Sequence, residues 1–397
     1  MFWQELKKTW KRPEIIIGFL LICVIQIVSV WNVIPENEEK YVTAYEKYGG
    51  QMNDEWKTRI RNTYEAYMSD EKNLRTEKEY KKELEKWGFT TDSEEANDPM
   101  FLLKEEAYYK PEFYVLDTAF SYTYFNDIAA DYVKRYQAGM SQRDAGYNIN
   151  RIQDAYKKVE EQSDQFIFGN DTYKNVLAGS LKVLAQCVIM FLVLLLASLF
   201  TRERANGMDA LLSTSRNGKR KLNHLKFAVC QSSALIVPAI LIGLTAIVIG
   251  VRTGWQGIDT VVQDFRNGYN ACPYLWNTGE YLAVIVLVSL ITCQVAAAVI
   301  FVFSQYFGNT LKIICVALGV LLVPILLFES YPNNVLALYF SNFISGEYLW
   351  RTFTEIRIGQ IYMPYWEIAV VELGIIFVTM MILVHIKRRR DEGFIKI

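Results

Sequence analysis

Six long apolar runs constrain the fold of this chain more than any other feature. They lie at 14–34, 177–200, 227–251, 281–304, 311–328 and 366–386. A helix needs roughly 20 mostly apolar residues to cross a hydrocarbon core of about 30 Å. Only helices and closed barrels satisfy their backbone hydrogen bonds in lipid, and barrel strands are shorter and alternate in polarity. The runs therefore predict six transmembrane helices.

The basic residues between these runs predict the orientation. The segments 1–14, 201–226 and 387–397 hold 16 lysines and arginines, whereas the segments 252–280 and 329–365 hold 4. Lysine and arginine accumulate in the cytoplasmic loops of membrane proteins. We therefore expect both termini to be cytoplasmic in a multi-pass protein of the cell membrane, with 201–226 inside and 387–397 as a basic cytoplasmic tail. The segments 252–280 and 329–365 are then external loops.

The first 13 residues have the pattern of a helix that lies in the membrane interface. Phe2, Trp3, Leu6 and Trp10 recur at helical spacing with lysines between them. Apolar and aromatic residues on one face and basic residues on the other favour the boundary between headgroups and acyl chains. The alternative is a basic flank in which the aromatic residues occur by chance.

The longest polar block, 35–176, predicts a folded external domain between the first two helices. It holds 29 acidic against 20 basic residues, but also 16 of the 25 tyrosines. Because aromatic side chains bury large areas, this composition argues against an acidic disordered linker. Helix-forming residues dominate 51–87, and Gly88 is placed to end that helix. The expected fold class is thus an all-α polytopic membrane protein: six transmembrane helices, an N-terminal interfacial helix and a large, mainly helical extracellular domain.

The most informative stretch follows the second apolar run. It contains Phe200, then Glu203-Arg204-x-x-Gly207, then Leu211-Leu212-x-Thr214, with Gly218 and Lys226 before the third run. Met208, Leu211 and Leu212 form a short apolar stripe among charged residues. Such a stripe on a cytoplasmic loop suits docking into a groove of a partner protein.

In these residues, and in the order of its spans, the chain resembles the permeases of the ABC-2 class of ABC exporters. The resemblance implies that this hairpin contacts a separate ATP-binding subunit. The implied coupling residues are Glu203, Arg204, Gly207, Met208, Leu211, Leu212, Thr214 and Gly218. The resemblance also implies short re-entrant or interfacial helices within 329–365. The alternative for 201–226 is an ordinary basic loop between two spans.

Several further expectations follow from the resemblance. Six spans are too few for a complete pathway in this family, so a homodimer or a heterodimer with a second permease is implied. The chain has no Gly-x-x-x-x-Gly-Lys-Ser/Thr loop to hold nucleotide phosphates. ATP and magnesium are therefore expected on the partner ATPase, with no cofactor, metal site or catalytic residue in this chain. Other expected partners are membrane lipids and the exported substrate, and nucleic acid is not one.

Polar residues inside the spans are candidates for a translocation path, because ionisable groups are costly in a membrane. Lys182 and Glu372 lie at similar depth below the predicted external surface, and Gln186 is one helical turn from Lys182. They are predicted either to pair or to face a polar path. The alternative is that Lys182 extends to the surface and Glu372 faces a hydrated crevice. Gln26 is predicted to hydrogen-bond to a neighbouring span.

Three functions compete at this point. The first is the exporter permease, with a substrate such as a cationic antimicrobial peptide, a lipid, a drug or a polysaccharide. The second is a receptor or sensor whose external domain binds a ligand and signals through a partner. The third, an intramembrane enzyme, is disfavoured because metal-protease and nucleophile-elbow motifs are absent from the sequence.

Overall fold

The chain divides into two compact units, which are described separately. The computed structural model describes residues 1–34, 38–127, 130–131, 134, 142–170, 172–207, 218–263, 269, 272–331, 334–350, 355–359 and 361–393. The first unit, here called the membrane-spanning unit, comprises Met1–Ile34, Asn175–Val251 and Glu280–Ile397. The second, here called the aromatic unit, comprises Pro35–Lys174 and Arg252–Gly279.

Within the described residues, six helices are long and apolar enough to cross a membrane, as the sequence predicts. This is the architecture of a multi-pass, all-α membrane protein. In chain order, spans 1 to 6 are Pro13–Val33, Thr172–Ala205, Arg220–Thr253, Thr278–Tyr306, Thr310–Ser330 and Tyr365–Arg390. Most extend beyond the apolar runs, because their polar end residues continue the helix.

Span 5 is interrupted at its proline. It consists of the helices Thr310–Leu321 and Val323–Ser330. Pro324 has no backbone N–H, so it cannot donate to the carbonyl four residues earlier, that of Val320. The Tyr339 hydroxyl donates to this carbonyl instead, at 2.9 Å. A side chain from the following segment thus satisfies the backbone group that the proline leaves unpaired.

The other elements of the membrane-spanning unit are short. A helix at Phe2–Trp10 precedes span 1, and a short helix at Thr201–Ala205 ends span 2. Between spans 5 and 6 lie a helix at Asn334–Ala337 and 3₁₀ turns at Phe340–Ile344 and Glu347–Leu349. An antiparallel hairpin follows, Glu355–Ile358 with Ile361–Pro364. The segment therefore contains short helical turns, whose expected re-entrant or interfacial position stays a prediction, and a hairpin that the sequence does not predict.

A buried hydrogen bond joins two of the spans. Gln26 in span 1 donates through Nε2 to Oγ1 of Thr245 in span 3, at 2.9 Å. Both side chains are buried. The prediction that Gln26 serves as an interhelical hydrogen-bond partner is confirmed.

The aromatic unit is built mainly from helices. Their bounds are Glu38–Tyr48, Asp54–Ser69, Glu77–Trp87, Pro99–Leu102, Glu105–Tyr108, Pro111–Tyr122 and Gln142–Gln162, with one strand pair, Gly50–Gln51 and Ile167–Phe168. Gly88 is left-handed (φ 79°) and caps the helix that ends at Trp87, as predicted. The predicted helix over 51–87 is in fact two helices, because the chain turns at 70–76.

Residues 252–279, within the segment that is predicted to be an external loop, belong to the aromatic unit. Val261 lies in the main aromatic core, and its N–H donates to the carbonyl of Ile167 at 2.9 Å. The hydroxyl of Tyr122 donates to the carbonyl of Gln263 at 2.5 Å. Gly257 has φ 87°, and a Cβ there would lie 1.7 Å from the carbonyl oxygen of Asn170. This close approach admits only glycine.

Candidate functional site

The first candidate region lies where span 2 ends, here called the basic end of the membrane-spanning unit. Glu203, in the short helix that ends span 2, is buried and bridges two lysines. Its Oε1 lies 3.0 Å from Nζ of Lys8, in the N-terminal helix. Its Oε2 accepts a hydrogen bond from Lys226 of span 3, which also donates to the carbonyl of Leu199 at 2.5 Å. One carboxylate therefore holds three segments together.

The electrostatics of Lys8 reflect this bridge. Partial burial lowers the pKa of Lys8, but the hydrogen bond and charge of Glu203, together with Glu5, outweigh that effect. The pKa of Lys8 therefore lies above its ordinary value, and the lysine stays charged at neutral pH. Lys226 is almost completely buried, and a buried ammonium group requires a partner of opposite charge.

Arg204 and Thr201 extend the same network to two more spans. The Arg204 guanidinium donates to the carbonyls of Gln305, at 2.6 Å, and Phe307, at 3.0 Å. These carbonyls lie at the C-terminal end of span 4, where backbone acceptors lack partners within the helix. The hydroxyls of Thr201 and Thr310 are 2.6 Å apart, which joins the short helix to the start of span 5.

The N-terminal helix Phe2–Trp10 is attached to the same end. The Arg12 guanidinium, just after the helix, donates to the hydroxyl of Ser198 and to the carbonyl of Leu195, at 2.7 and 2.9 Å. The indole of Trp10 donates to the hydroxyl of Ser233 at 3.0 Å. The helix is therefore fixed against spans 2 and 3 by side chains.

The remaining predicted coupling residues lie at the edge of the described chain or beyond it. Gly207 is exposed and left-handed (φ 66°), so it ends the short helix. Gly218 is the first residue of the helix that continues through span 3. Met208, Leu211, Leu212 and Thr214 lie outside the described residues, and their coupling role stays a prediction.

The second candidate region is a polar cavity of about 190 Å³ between spans 2 and 5, here called the span 2–5 cavity. Lys182 of span 2 and Glu329 of span 5 both line it. Gln186 donates to Oε2 of Glu329 at 2.6 Å, and Nζ of Lys182 lies 5.6 Å from the centre of the Tyr348 ring. Two of the three predicted path residues, Lys182 and Gln186, thus contribute to one polar cluster around this cavity.

Glu372, the third predicted path residue, has a different environment. Its carboxylate accepts a hydrogen bond from the backbone N–H of Phe340 at 3.2 Å. This contact joins span 6 to the first 3₁₀ turn between spans 5 and 6. The predicted pairing of Glu372 with Lys182, and the roles of Lys182, Gln186 and Glu372 in transport, stay predictions.

Three contributing residues were given no role from the sequence. Glu329 lies one residue beyond the apolar run 311–328 and was assigned to a loop, although an acidic residue one position past a span is itself a signal. Lys226 was noted only as part of the resemblance, and Lys8 only as a basic residue of the interfacial helix. Sequence distances of 23 and 195 residues separate these lysines from Glu203, so no local pattern predicts the contacts.

Comparisons with protein-family models, with curated proteins and with solved structures give no match for this chain. Among the described residues, no group of three histidine, cysteine, aspartate or glutamate side chains could hold a metal ion. Function must therefore be argued from the two candidate regions themselves.

Proposed function

We propose that this chain is the transmembrane permease subunit of an ATP-driven exporter. It forms a translocation path as a dimer, with itself or with a second permease, and is driven by a separate ATP-binding subunit. ATP and magnesium bind to that subunit and not to this chain. The observation that carries the proposal is the network around Glu203, which fixes the start of the predicted coupling region to the N-terminal helix and to spans 3, 4 and 5.

This network supports a mechanical role. In the proposal, nucleotide binding moves the ATPase subunits and displaces residues 201–226. A displacement of a loose segment would be absorbed locally, whereas a segment whose start is fixed by ion pairs and hydrogen bonds transmits it to the packed spans. The spans then rearrange around the path, for which Lys182, Gln186 and Glu372 are the candidate residues.

The proposal includes an orientation in the bacterial cytoplasmic membrane. Both termini and residues 201–226 face the cytoplasm, and the aromatic unit is extracellular. A thiol reagent that cannot cross membranes tests this in intact cells, in a variant without the native cysteines. We expect labelling of Ser69→Cys in the aromatic unit and none of Asn206→Cys, since both positions are exposed. The reverse labelling pattern would contradict the orientation.

Co-purification tests the exporter proposal itself. The full-length chain is purified from its native membrane in mild detergent, bound proteins are identified, and ATPase activity is measured. We expect an ATP-binding subunit that is lost when Leu211 and Leu212 are both changed to alanine. The matched control changes Leu20 and Leu21, an adjacent pair of exposed leucines in span 1, to alanine and should retain the subunit.

Recovery of intact protein without any nucleotide-binding partner would exclude the exporter proposal. A receptor or sensor would then be the better explanation, with the aromatic unit as its ligand-binding part.

A further inference from the structure

The span 2–5 cavity combines opposite charges with hydrogen-bonding groups. Lys182 provides a cation and Glu329 an anion, and Ser345 and Asn342 contribute polar side chains. Ser345 and Asn342 are buried. The remaining lining consists of the aliphatic side chains of Ala185 and Ile325 and two aromatic rings. A ligand that fits this lining carries a positive and a negative group close together.

Aromatic rings form one wall of the cavity. The rings of Phe328 and Tyr348 meet edge to face, with centroids 4.6 Å apart. Nζ of Lys182 is 5.6 Å from the centre of the Tyr348 ring. Aromatic faces attract ammonium groups, including those of ligands. The wall is therefore suited to a cationic headgroup as well as to the lysine.

The cavity reaches the apolar surface of span 5. Glu329 lines the cavity and is also exposed in the isolated chain. Leu326, one turn earlier on the same helix face, is exposed as well. An exposed carboxylate beside exposed leucines is costly in a membrane unless a polar partner covers it. Gln186 supplies one hydrogen bond, and the cavity leaves space for a further partner.

We propose that the span 2–5 cavity binds the zwitterionic head of a phospholipid, such as a phosphoethanolamine group. The phosphate lies towards Lys182 and the ammonium group lies between Glu329 and the aromatic wall. The acyl chains extend along the exposed apolar face of span 5 that includes Leu326. A membrane lipid is favoured over a peptide because the cavity reaches the surface among residues that contact acyl chains.

Binding of this headgroup stands without the ATPase partner, whereas its transport rests on the proposed function. The two are therefore tested separately. Loss of lipid binding overturns the inference and leaves the exporter proposal standing. Failure to recover an ATP-binding subunit overturns the exporter proposal and leaves the inference of lipid binding standing.

The experiment measures lipid binding to the purified full-length protein. Phosphatidylethanolamine and phosphatidylglycerol with identical short acyl chains are titrated separately, because only the first carries an ammonium group. We expect phosphatidylethanolamine to bind more tightly by about tenfold or more, since a charged hydrogen-bonding partner inside a site contributes at least that much. Free phosphoethanolamine should compete at higher concentration, which separates recognition of the head from that of the chains.

Three variants locate the site. Glu329→Gln is isosteric and should bind both lipids equally, because it removes the partner of the ammonium group. Lys182→Gln should weaken binding of both lipids, because both carry the phosphate. Lys312→Gln removes a charge from the other end of span 5 and should behave like the unchanged protein. Thermal unfolding of each variant verifies that it is folded.

Equal affinity of the unchanged protein for the two lipids would overturn the inference. So would a preference that survives in Glu329→Gln, or that is lost equally in Lys312→Gln. Binding of a cationic amphipathic peptide to a protein that binds neither lipid would assign the cavity to a peptide instead.

Discussion

The two ends of the membrane-spanning unit surround their charged side chains in opposite ways. At the basic end, Glu203 accepts from two lysines, and Arg204 donates to two backbone carbonyls. At the other end, Lys182 and Glu329 border a cavity, and Glu329 is exposed. Charges that are enclosed by several protein partners fix a geometry, whereas charges beside a space can also contact a ligand. The contrast separates a framework from a binding site within one bundle of helices.

The sharpest test of this contrast is the same substitution at both ends. Glu203→Gln leaves Lys226 buried without a carboxylate, which typically costs about 3–5 kcal/mol in the free energy of unfolding. Glu329→Gln changes an exposed side chain and is expected to cost within about 0.5 kcal/mol. Denaturant unfolding in detergent micelles measures both values. Equal losses at the two ends would show that the distinction between framework and binding site is wrong.

Two glycines of the aromatic unit allow the same comparison for the backbone, because one lies against another segment and the other has open space around it. Gly257 and Gly254 are both left-handed, with φ 87° and 75°. A Cβ at Gly257 would meet the Asn170 carbonyl, whereas nothing lies within 4 Å of one at Gly254. Gly254→Ala should cost about 1 kcal/mol from backbone strain alone, and Gly257→Ala about 3 kcal/mol or more.

Resistance of the aromatic unit to a protease measures this difference. We expect Gly257→Ala to be cleaved at protease concentrations that leave Gly254→Ala intact. A similar response of the two variants would mean that 252–279 does not need the close contact with Asn170.

The hydrogen bond between Gln26 and Thr245 is a neutral pair inside the spans, and its energy can be compared with that of the ion pair at Glu203. Hydrogen bonds between transmembrane helices contribute about 0.6 kcal/mol on average and up to about 1.7 kcal/mol. A double-mutant cycle with Gln26→Leu and Thr245→Val should give a coupling energy in this range. It should be well below the loss in Glu203→Gln, and a coupling energy as large as that loss would contradict the ranking.

The smallest effect is expected at a partly exposed ion-pair cluster of the aromatic unit. Hydrogen bonds from Lys86, Trp87 and Arg75 lower the pKa of Glu83 from 4.5 to about 2. Because the pKa is depressed in the folded state, the stabilisation is present above pH 4.5 and is lost as the pH falls through about 2. Glu83→Gln should therefore be less stable than the unchanged protein at pH 6, and the difference should vanish near pH 2.

Unfolding midpoints measured across this pH range test the expectation at Glu83. Glu85→Gln, an exposed glutamate on the same helix, serves as the control. A difference between Glu83→Gln and the unchanged protein that does not change with pH would contradict the assigned cause.

The sequence predicts those parts of the fold that depend on local chemistry. The six apolar runs predict the six spans, and Gly88 predicts a helix end because only a residue free of a side chain adopts φ 79° without strain. Pro324 accounts for the interruption of span 5 through its missing N–H, but it does not predict that Tyr339 occupies the carbonyl it frees. The interruption depends on one residue, whereas the contact with Tyr339 depends on the path of the chain between spans.

The candidate regions were less predictable for the same reason. Glu203 is recognisable from the sequence as part of a charged hairpin, but Lys8 meets it only after 195 residues of chain. Glu329 was not predicted because it lies just past the apolar run 311–328, although the helix continues to Ser330. Residues 252–279 have the sequence pattern of a loop when they are considered alone. They join the aromatic unit through contacts to residues 122, 167 and 170, which no periodicity within the loop encodes.

The participation of residues 252–279 in the aromatic unit has a consequence for biosynthesis. Val261 is part of the core of this unit, but spans 2 and 3 separate it along the chain from the rest of that core. The unit therefore lacks part of its interior until the ribosome has made span 3 and the segment beyond it. Domains usually fold as units during synthesis. Here completion of the aromatic unit is delayed until a third helix has been inserted, so its folding reports that the membrane insertion of the preceding spans has succeeded.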